Sequence, residues 1–418
     1  MPAETQTPPG EPTLLILADD LTGANDVGAQ FAKRNIRSIV LVEPEQTSLP
    51  IGYEVIVVNT ESRHIPAQLA AERIRRIVEL GLRAGAQHFF KKTDSTLRGN
   101  IGPELKALME TLGERTIPFV PAFPETGRTT RGGIHFVHGI PIAETDFARD
   151  PLSPVPASSV AEVLRARSDL PVTSFRLPDL PSELPPGCIV LDCESREEMS
   201  AIARAFAQKG RSRILAGSAA FAEELPHLLP LRTKPLLTLD PRGPILLVNG
   251  SLNPRSLEQI SVTDATFSRI RLETKLLLEQ DTDEALFNQL RSANGGNVLL
   301  YSAENARDAS ELIQLAARLG LKSAEAHLRV ATVTGRIVDK AIRQFAFNTV
   351  IVFGGDTLLG IARACGWKAF VPRTEIAPGI TVSTPQDTDL TVINKAGGFG
   401  ETNVVQIIHS AIVRLATG

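Results

Sequence analysis

Short apolar runs recur along the chain, separated by stretches long enough to form a helix. In the first half they are LLILA (Leu14 to Ala18), RSIVLV (Arg37 to Val42), EVIVV (Glu54 to Val58), HFFKK (His88 to Lys92) and IPFVPA (Ile117 to Ala122). Between them lie amphipathic segments such as Ala67 to Ala84, with Leu69, Ile74, Ile77, Val78 and Leu80 at helical spacing. That rhythm predicts strand-helix-strand units and a mainly parallel sheet. From Pro151 to Gly187 prolines are dense and periodicity is weak, which reads as an irregular excursion inside one domain. CIVLD (Cys188 to Asp192), a helix near Arg196 to Gln208 and RILAG (Arg213 to Gly217) then resume the pattern. In the second half PILLVNG (Pro244 to Gly250), NVLLYS (Asn297 to Ser302), TVIVFGG (Thr349 to Gly355) and LTVINK (Leu390 to Lys395) repeat it. The proline-bearing stretch Pro226 to Pro244 has no convincing helix caps and separates the two blocks. The expected architecture is α/β: a domain over 1–228, a linker over 229–243 and a second domain over 244–418.

Composition narrows the partners. The 418 residues are 43% hydrophobic with a formal net charge of −3, enough apolar content for substantial cores. Acidic and basic residues are balanced and no block of like charge occurs, so nucleic acid is not an expected partner. Met1 to Pro12 has neither the basic start nor the apolar stretch of a secretory signal, and no apolar run is long enough to span a bilayer. A cytoplasmic protein without a membrane partner is expected. Cys188, Cys193 and Cys365 form no C-x-x-C pair, so neither a disulfide framework nor a zinc cluster is indicated.

The polar clusters that could carry chemistry follow strands. The first strand runs into Ala18-Asp19-Asp20-Leu21-Thr22-Gly23-Ala24-Asn25-Asp26. Strand carboxyl ends form the ligand crevice of open α/β sheets, and one residue would suffice as a helix cap, so Asp19, Asp20 and Asn25 exceed structural need. HFFKK runs into Thr93-Asp94-Ser95-Thr96-Leu97-Arg98-Gly99-Asn100, bringing Lys92, Asp94, Ser95 and Arg98 to a second strand end. There Arg98 could grip a carboxylate while Asp94 accepts a proton or orients a hydroxyl; a surface ion network is the plainer alternative. After IPFVPA, Gly127, Arg128, Gly132 and Gly133 make either an anion site or a surface turn. His135 and His138 lie three apart on a predicted strand, point to opposite faces, and are expected to be structural.

In the second block, Gly354 and Gly355 open a helix after a strand, where freed amides and helix polarity suit a phosphate. Asp356 stands where a magnesium ion accompanying a nucleotide could be held. Ser251 follows another strand in VNGSLNP, and Gly397 and Gly398 follow a third in KAGGFG. There is no G-x-x-x-x-G-K-[ST] run, no G-x-G-x-x-G after the first strand and no G-x-S-x-G elbow. An ordinary P-loop protein, a dinucleotide enzyme and a serine hydrolase are therefore not indicated.

Taken in order, ILADDLTGANDVG, KKTDSTLRGNIG, VPAFPETGRTTRGG, LAGSAAF, VNGSLNPRSLEQI, VFGGDTLLGI and INKAGGFG resemble the four-carbon acid sugar kinase family, over Leu14 to Gly400. The resemblance implies a sugar-acid-binding first domain, an ATP-binding second domain and reaction in the cleft between them. Water must be kept from ATP, so domain closure is the expected gate, and a homodimer is an expected partner state. It implies phosphorylation of the terminal 4-hydroxyl of D-threonate or D-erythronate, with 3-oxo-tetronate as the alternative and the Asn25-Asp26 pair favouring the first two. By the same carry-over, Asp19, Asp20, Lys92, Asp94, Ser95, Arg98 and Arg128 face the acid, while Ser251, Gly354, Gly355, Asp356, Thr357 and Gly397 face the nucleotide. In Leu252-Asn253-Pro254-Arg255-Ser256 the family's hydroxyl-rich run is replaced, so that Ser256 would stand for its threonine and Arg255 would add a phosphate contact. As the general base, Asp20 is favoured over Asp94, because a like-charge neighbour, Asp19, should raise a carboxyl pKa. Two other readings share these features: a nicotinamide-dependent sugar-acid dehydrogenase and a non-catalytic sugar-acid sensor.

Overall fold

The computed structural model describes residues 12–417 apart from 151, 209, 211, 235–240, 242, 264, 280–283 and 294. The chain divides into two compact units at 235/236. The linker expected over 229–243 lies in part outside the described residues.

In chain order the first unit runs β1 (Leu14–Ala18), α1 (Leu21–Ala32), β2 (Ser38–Leu41), β3 (Val55–Asn59), α2 (Ala67–Arg83), β4 (His88–Lys92), α3 (Ile101–Leu112) and β5 (Thr116–Val120). It continues through β6 (Arg128–Arg131), β7 (Ile134–Val137), β8 (Ile140–Pro141), α4 (Val160–Arg165), β9 (Val172–Phe175) and β10 (Gly187–Leu191). α5 (Arg196–Gln208), β11 (Ile214–Gly217), α6 (Ala219–Ala222) and α7 (Leu225–Leu228) close it. The main strands pair in parallel in the order β2-β3-β1-β4-β11-β5-β10-β9. Every residue of β1 and β3 is buried, as expected where helices cover both faces of a parallel sheet. Helix α2 buries Ile74, Ile77, Val78 and Leu80, whereas Leu69, expected on the same face, is exposed. The proline-rich excursion is more ordered than its periodicity suggests, since it supplies α4 and the sheet's last strand, β9.

Chain order reverses between β1 and β4, because β1 leads to β2 and β3 on one side and to β4 on the other. At such a switch point the connections diverge and leave a crevice outside the strand ends. Register puts three exits at one level, with Ala18 opposite both Asn59 and Lys92.

The second unit comprises β12 (Ile245–Asn249), α8 (Pro254–Ser261), β13 (Phe267–Arg271), α9 (Thr274–Glu279), α10 (Glu284–Ser292), β14 (Asn297–Tyr301) and α11 (Ala306–Arg318). Then come α12 (Ser323–Gln344), β15 (Thr349–Phe353), α13 (Gly355–Cys365), β16 (Ala369–Ala377), β17 (Ile380–Pro385), β18 (Thr391–Lys395) and α14 (Val404–Thr417). The order is β13-β14-β12-β15-β18-β17-β16, parallel up to β18 and antiparallel beyond. Its reversal lies between β12 and β15. There Asn249 pairs with Phe353, and Phe353 with Lys395, so three glycine-bearing loops leave the sheet together.

Candidate functional site

In the first unit the switch point is lined by charge. Asp20 caps α1, its Oδ1 accepting from the Gly23 amide at 3.0 Å, so the plain capping role is real. It is not the residue's only role. Arg63, in the loop after β3, donates from Nε to Asp19 Oδ2 at 2.7 Å and approaches Asp20 Oδ1 with its other arm at 2.9 Å. A guanidinium between two carboxylates removes the like-charge argument for a raised pKa. Burial pushes the Asp19 carboxyl up, but Arg63, Lys91 and Lys92 outweigh it and hold it below the ordinary range. Lys92 Nζ donates to the Thr93 carbonyl at 2.9 Å and lies against the start of α1. A Cβ on Gly23 would come within 2.6 Å of Asp20 Oδ1 and 2.8 Å of Lys92 Nζ, so only glycine lets carboxylate and ammonium approach here.

Beneath this rim lies a second, fully buried ion pair. Lys91 Nζ sits 3.2 Å from Glu104 Oε2, and Ser62 Oγ donates to the other carboxylate oxygen. Burial pushes the Glu104 carboxyl up.

After β4 the chain turns sharply, with Leu97 at φ +59 and Gly99 at φ +95. The turn wraps the Asp94 carboxylate, which accepts from Thr96 Oγ1, from Arg98 Nε at 2.7 Å and from Arg98 Nη2 at 3.3 Å. The third arm of Arg98 reaches Asp150 Oδ2 at 3.2 Å. Burial raises the Asp94 carboxyl, yet Arg98 and Arg63 more than reverse this and hold it well below the usual carboxylate range. Arg98, expected to grip a ligand carboxylate, is thus engaged on both edges by carboxylates of its own chain.

Arg128, at the start of β6, donates to Ser95 Oγ at 2.9 Å. His135 holds Ser95 from the other side, its Nε2 on the Ser95 carbonyl at 2.9 Å and its Nδ1 on Thr130 Oγ1 at 3.0 Å. Burial pushes this imidazole down to about 4, so it is a neutral strut, while His138 is exposed in the turn after β7 at φ +50 and not on the strand expected to carry both. The amides of Gly132 and Gly133 donate to the Asp192 carboxylate at 2.6 and 2.9 Å. Of the two readings of that glycine-arginine loop, the turn is what the structure supports, since the anion its amides hold belongs to the chain.

Two buried side chains here lack hydrogen-bond partners. Asn25 is 1% exposed and neither its amide nitrogen nor its oxygen has a hydrogen-bond partner among the described residues. The Thr93 hydroxyl is equally buried and equally unpartnered. Leaving such groups dry and unpaired costs roughly 1–3 kcal/mol each.

In the second unit the three loops converge. A Cβ on Gly250 would collide with Thr357 Oγ1. Gly354, at φ +107, would place one 3.4 Å from both Ser251 Cβ and Thr357 Oγ1. A Cβ on Gly397 would stand 3.1 Å from Ser251 Oγ, and one on Gly398 3.7 Å from Asn253 Nδ2. Ser251 is therefore the meeting point of Gly354, Gly397 and the β12 exit. Gly355 opens α13, where the first amides lack helical acceptors, and Asp356 is exposed in its first turn. Ser256 and Arg255 do not point to a phosphate. Ser256 Oγ donates to the Gly397 carbonyl at 2.8 Å, and Arg255 Nε to the Gly400 carbonyl at 3.0 Å.

Comparison with known proteins agrees with this division. A family model described as a sugar-binding N-terminal domain matches residues 14–225, and one described as a nucleotide-binding C-terminal domain matches 246–405. The chain is 30% identical to the D-threonate kinase of Salmonella typhimurium strain LT2, covering 94% of this chain and 96% of that protein. The chain belongs to the four-carbon acid sugar kinase family. Within this family it is also 26% identical to the D-erythronate kinase of Heliobacterium modesticaldum, over 87% of this chain and 88% of the relative. Against the 3-oxo-tetronate kinase of Methylobacterium radiotolerans the figures are 29%, 92% and 95%. A solved Haemophilus influenzae structure shares the fold with a TM-score of 0.72 at 18% identity, covering 95% of this chain and all of that one.

Arg63, Ser62, Lys91, Glu104 and Asp150 were not anticipated from sequence. Arg63 carried a usable signal, because NTESRH follows β3 just as the recognised clusters follow β1 and β4.

Proposed function

We propose that the chain transfers the γ-phosphoryl group of ATP to the terminal 4-hydroxyl of a four-carbon sugar acid, D-threonate first and D-erythronate next. The observation that carries a kinase reading is the convergence of three glycine turns on Ser251 at the switch point of the second unit. Exposed amides at a helix start, without a Walker lysine, suit a polyphosphate. Ser251, Gly354, Gly355, Thr357, Gly397 and Gly398 are assigned to the nucleotide. Among the described residues no group of three or more His, Cys, Asp or Glu side chains could hold a metal by itself. Asp356 offers a single exposed carboxylate, which fits Mg²⁺ shared with nucleotide phosphates. When bound, that ion would neutralise charge on the transferring phosphoryl group.

The first unit supplies recognition and proton transfer. With Arg98 closed by Asp94 and Asp150, Arg128 beside Ser95 and Lys92 are assigned to the substrate carboxylate. Asn25 and Thr93 are assigned to its hydroxyls, which would satisfy their buried polar atoms. Asp94 is too firmly ion-paired to accept a proton, and its role is to fix Arg98 and the turn carrying Ser95. Asp20 is assigned as general base: its side chain is 26% exposed, against 12% for Asp94 and 3% for Asp19. It takes the proton of the attacking hydroxyl while Arg63, itself held by Asp19, and the Gly23 amide fix its Oδ1. A second reading, 3-oxo-tetronate as acceptor, is favoured by the identity to the Methylobacterium relative. Steady-state rates on the three acids separate the readings, and the account expects the highest kcat/KM for D-threonate.

A further inference from the structure

Lys395, the last residue of β18, is fully buried. A lysine beside glycine turns in a kinase invites the view that its ammonium touches phosphate, but its Nζ points into the loop that follows. It donates to the carbonyls of Ala396, Gly397 and Phe399, each at 3.0 Å, and lies 4.6 Å from the centre of the Phe353 ring. Helix α8 grips the same loop from beneath. Gln259 Nε2 donates to the carbonyls of Phe399, Gly400 and Glu401 at 3.0, 2.9 and 3.0 Å, joined by Ser256 on Gly397 and Arg255 on Gly400. The backbone oxygens of this loop are therefore drawn inward. The Ala396 and Phe399 amides are bonded within the chain, but among the described residues those of Gly397 and Gly398 have no acceptor.

We propose that Lys395 is a positioning residue for the nucleotide, a protonated clamp that, with Gln259, turns the loop inside out so that the Gly397 and Gly398 amides face a phosphate group. The inference rests on the reading of the second unit as the nucleotide-binding unit. Three carbonyls need three N–H donors, which only the ammonium form has. The charged groups around it are few: Arg255 on α8, itself paired with Glu258 at 2.9 Å and Glu401 at 3.5 Å. Burial, helped by Arg255, pushes the Lys395 ammonium down to about 7. As pH rises through that value the clamp loses a donor and one loop carbonyl loses its partner.

Calorimetric titration of the full chain with ADP and saturating Mg²⁺ tests this, between pH 6.5 and 8.5, above the second phosphate ionisation near 6. Wild type should bind several-fold more weakly at the upper end. Lys395→Met should bind roughly tenfold more weakly at pH 6.5, about 1.4 kcal/mol, with a flat pH profile and unchanged D-threonate affinity. Equal ADP affinity in both proteins, with parallel profiles, overturns the clamp while leaving the nucleotide site intact. Should the variant not fold, a flat wild-type profile overturns it alone. No ADP binding by wild type at any pH would instead remove the nucleotide reading itself.

Discussion

Asp20 and Asp94 leave neighbouring strands at the same level, yet the proposed function gives them different work. Asp20→Asn should lower kcat on the order of a hundredfold with little change in KM, the size expected for losing a general base. Asp94→Asn leaves Arg98 short of a buried counter-charge, costs about 3 kcal/mol of stability, and should raise KM for the acid; the opposite kinetic pattern would exchange the two roles. Arg128→Lys should raise KM for the acid far more than for ATP, while Arg98→Lys should mainly lower the melting temperature. Unmoved KM values in both would place the carboxylate contact elsewhere. The aspartates were legible because strand ends in α/β sheets are where side chains meet ligands. Their pairings were not, since Glu104 meets Lys91 from within a helix where spacing carries no local signal, and Arg63, though it follows a strand end, does not declare Asp19 as its partner.

At the level of elements, the strands that sequence located well are those buried on both faces, whose apolar runs are unbroken. β13 escaped notice because an edge strand such as FSRIR buries only Phe267 and Ile270 fully, and β16 with β17 because polar residues interrupt their runs. The β15-to-α13 turn is the element on which nucleotide affinity should hinge. Gly354→Val forces a side chain into φ +107 and toward Ser251, adding strain of roughly 1–3 kcal/mol. ADP affinity in calorimetry should fall at least tenfold with D-threonate binding intact, and an unchanged value would detach this turn from the nucleotide. The hairpin of β6 and β7 carries a different dependence. The His135 imidazole is held neutral down to about 4, against about 6.5 when unfolded. Its stabilisation is fully present above pH 6.5 and is lost as pH falls toward 4, amounting to about 3 kcal/mol over that window. His135→Gln should flatten the acid limb of a stability-against-pH curve measured by urea unfolding.

For the molecule as a whole, two α/β units each set a polar cluster at a point where their strand order reverses. One cluster is built of paired charges and unpartnered buried amide and hydroxyl groups, the other of glycine amides around a serine. Phosphoryl transfer asks for that division: fixed cations and a base for the acceptor, backbone donors for the phosphates. The most direct test is ADP release from MgATP by the purified chain, coupled to product analysis, against D-threonate, D-erythronate, 3-oxo-tetronate and the C5 and C6 aldonic acids. The account predicts ADP formed in step with a 4-phosphorylated four-carbon acid, fastest with D-threonate and slow with the longer acids. ADP release indifferent to every acid, or reduction of NAD by the same acids, would contradict it.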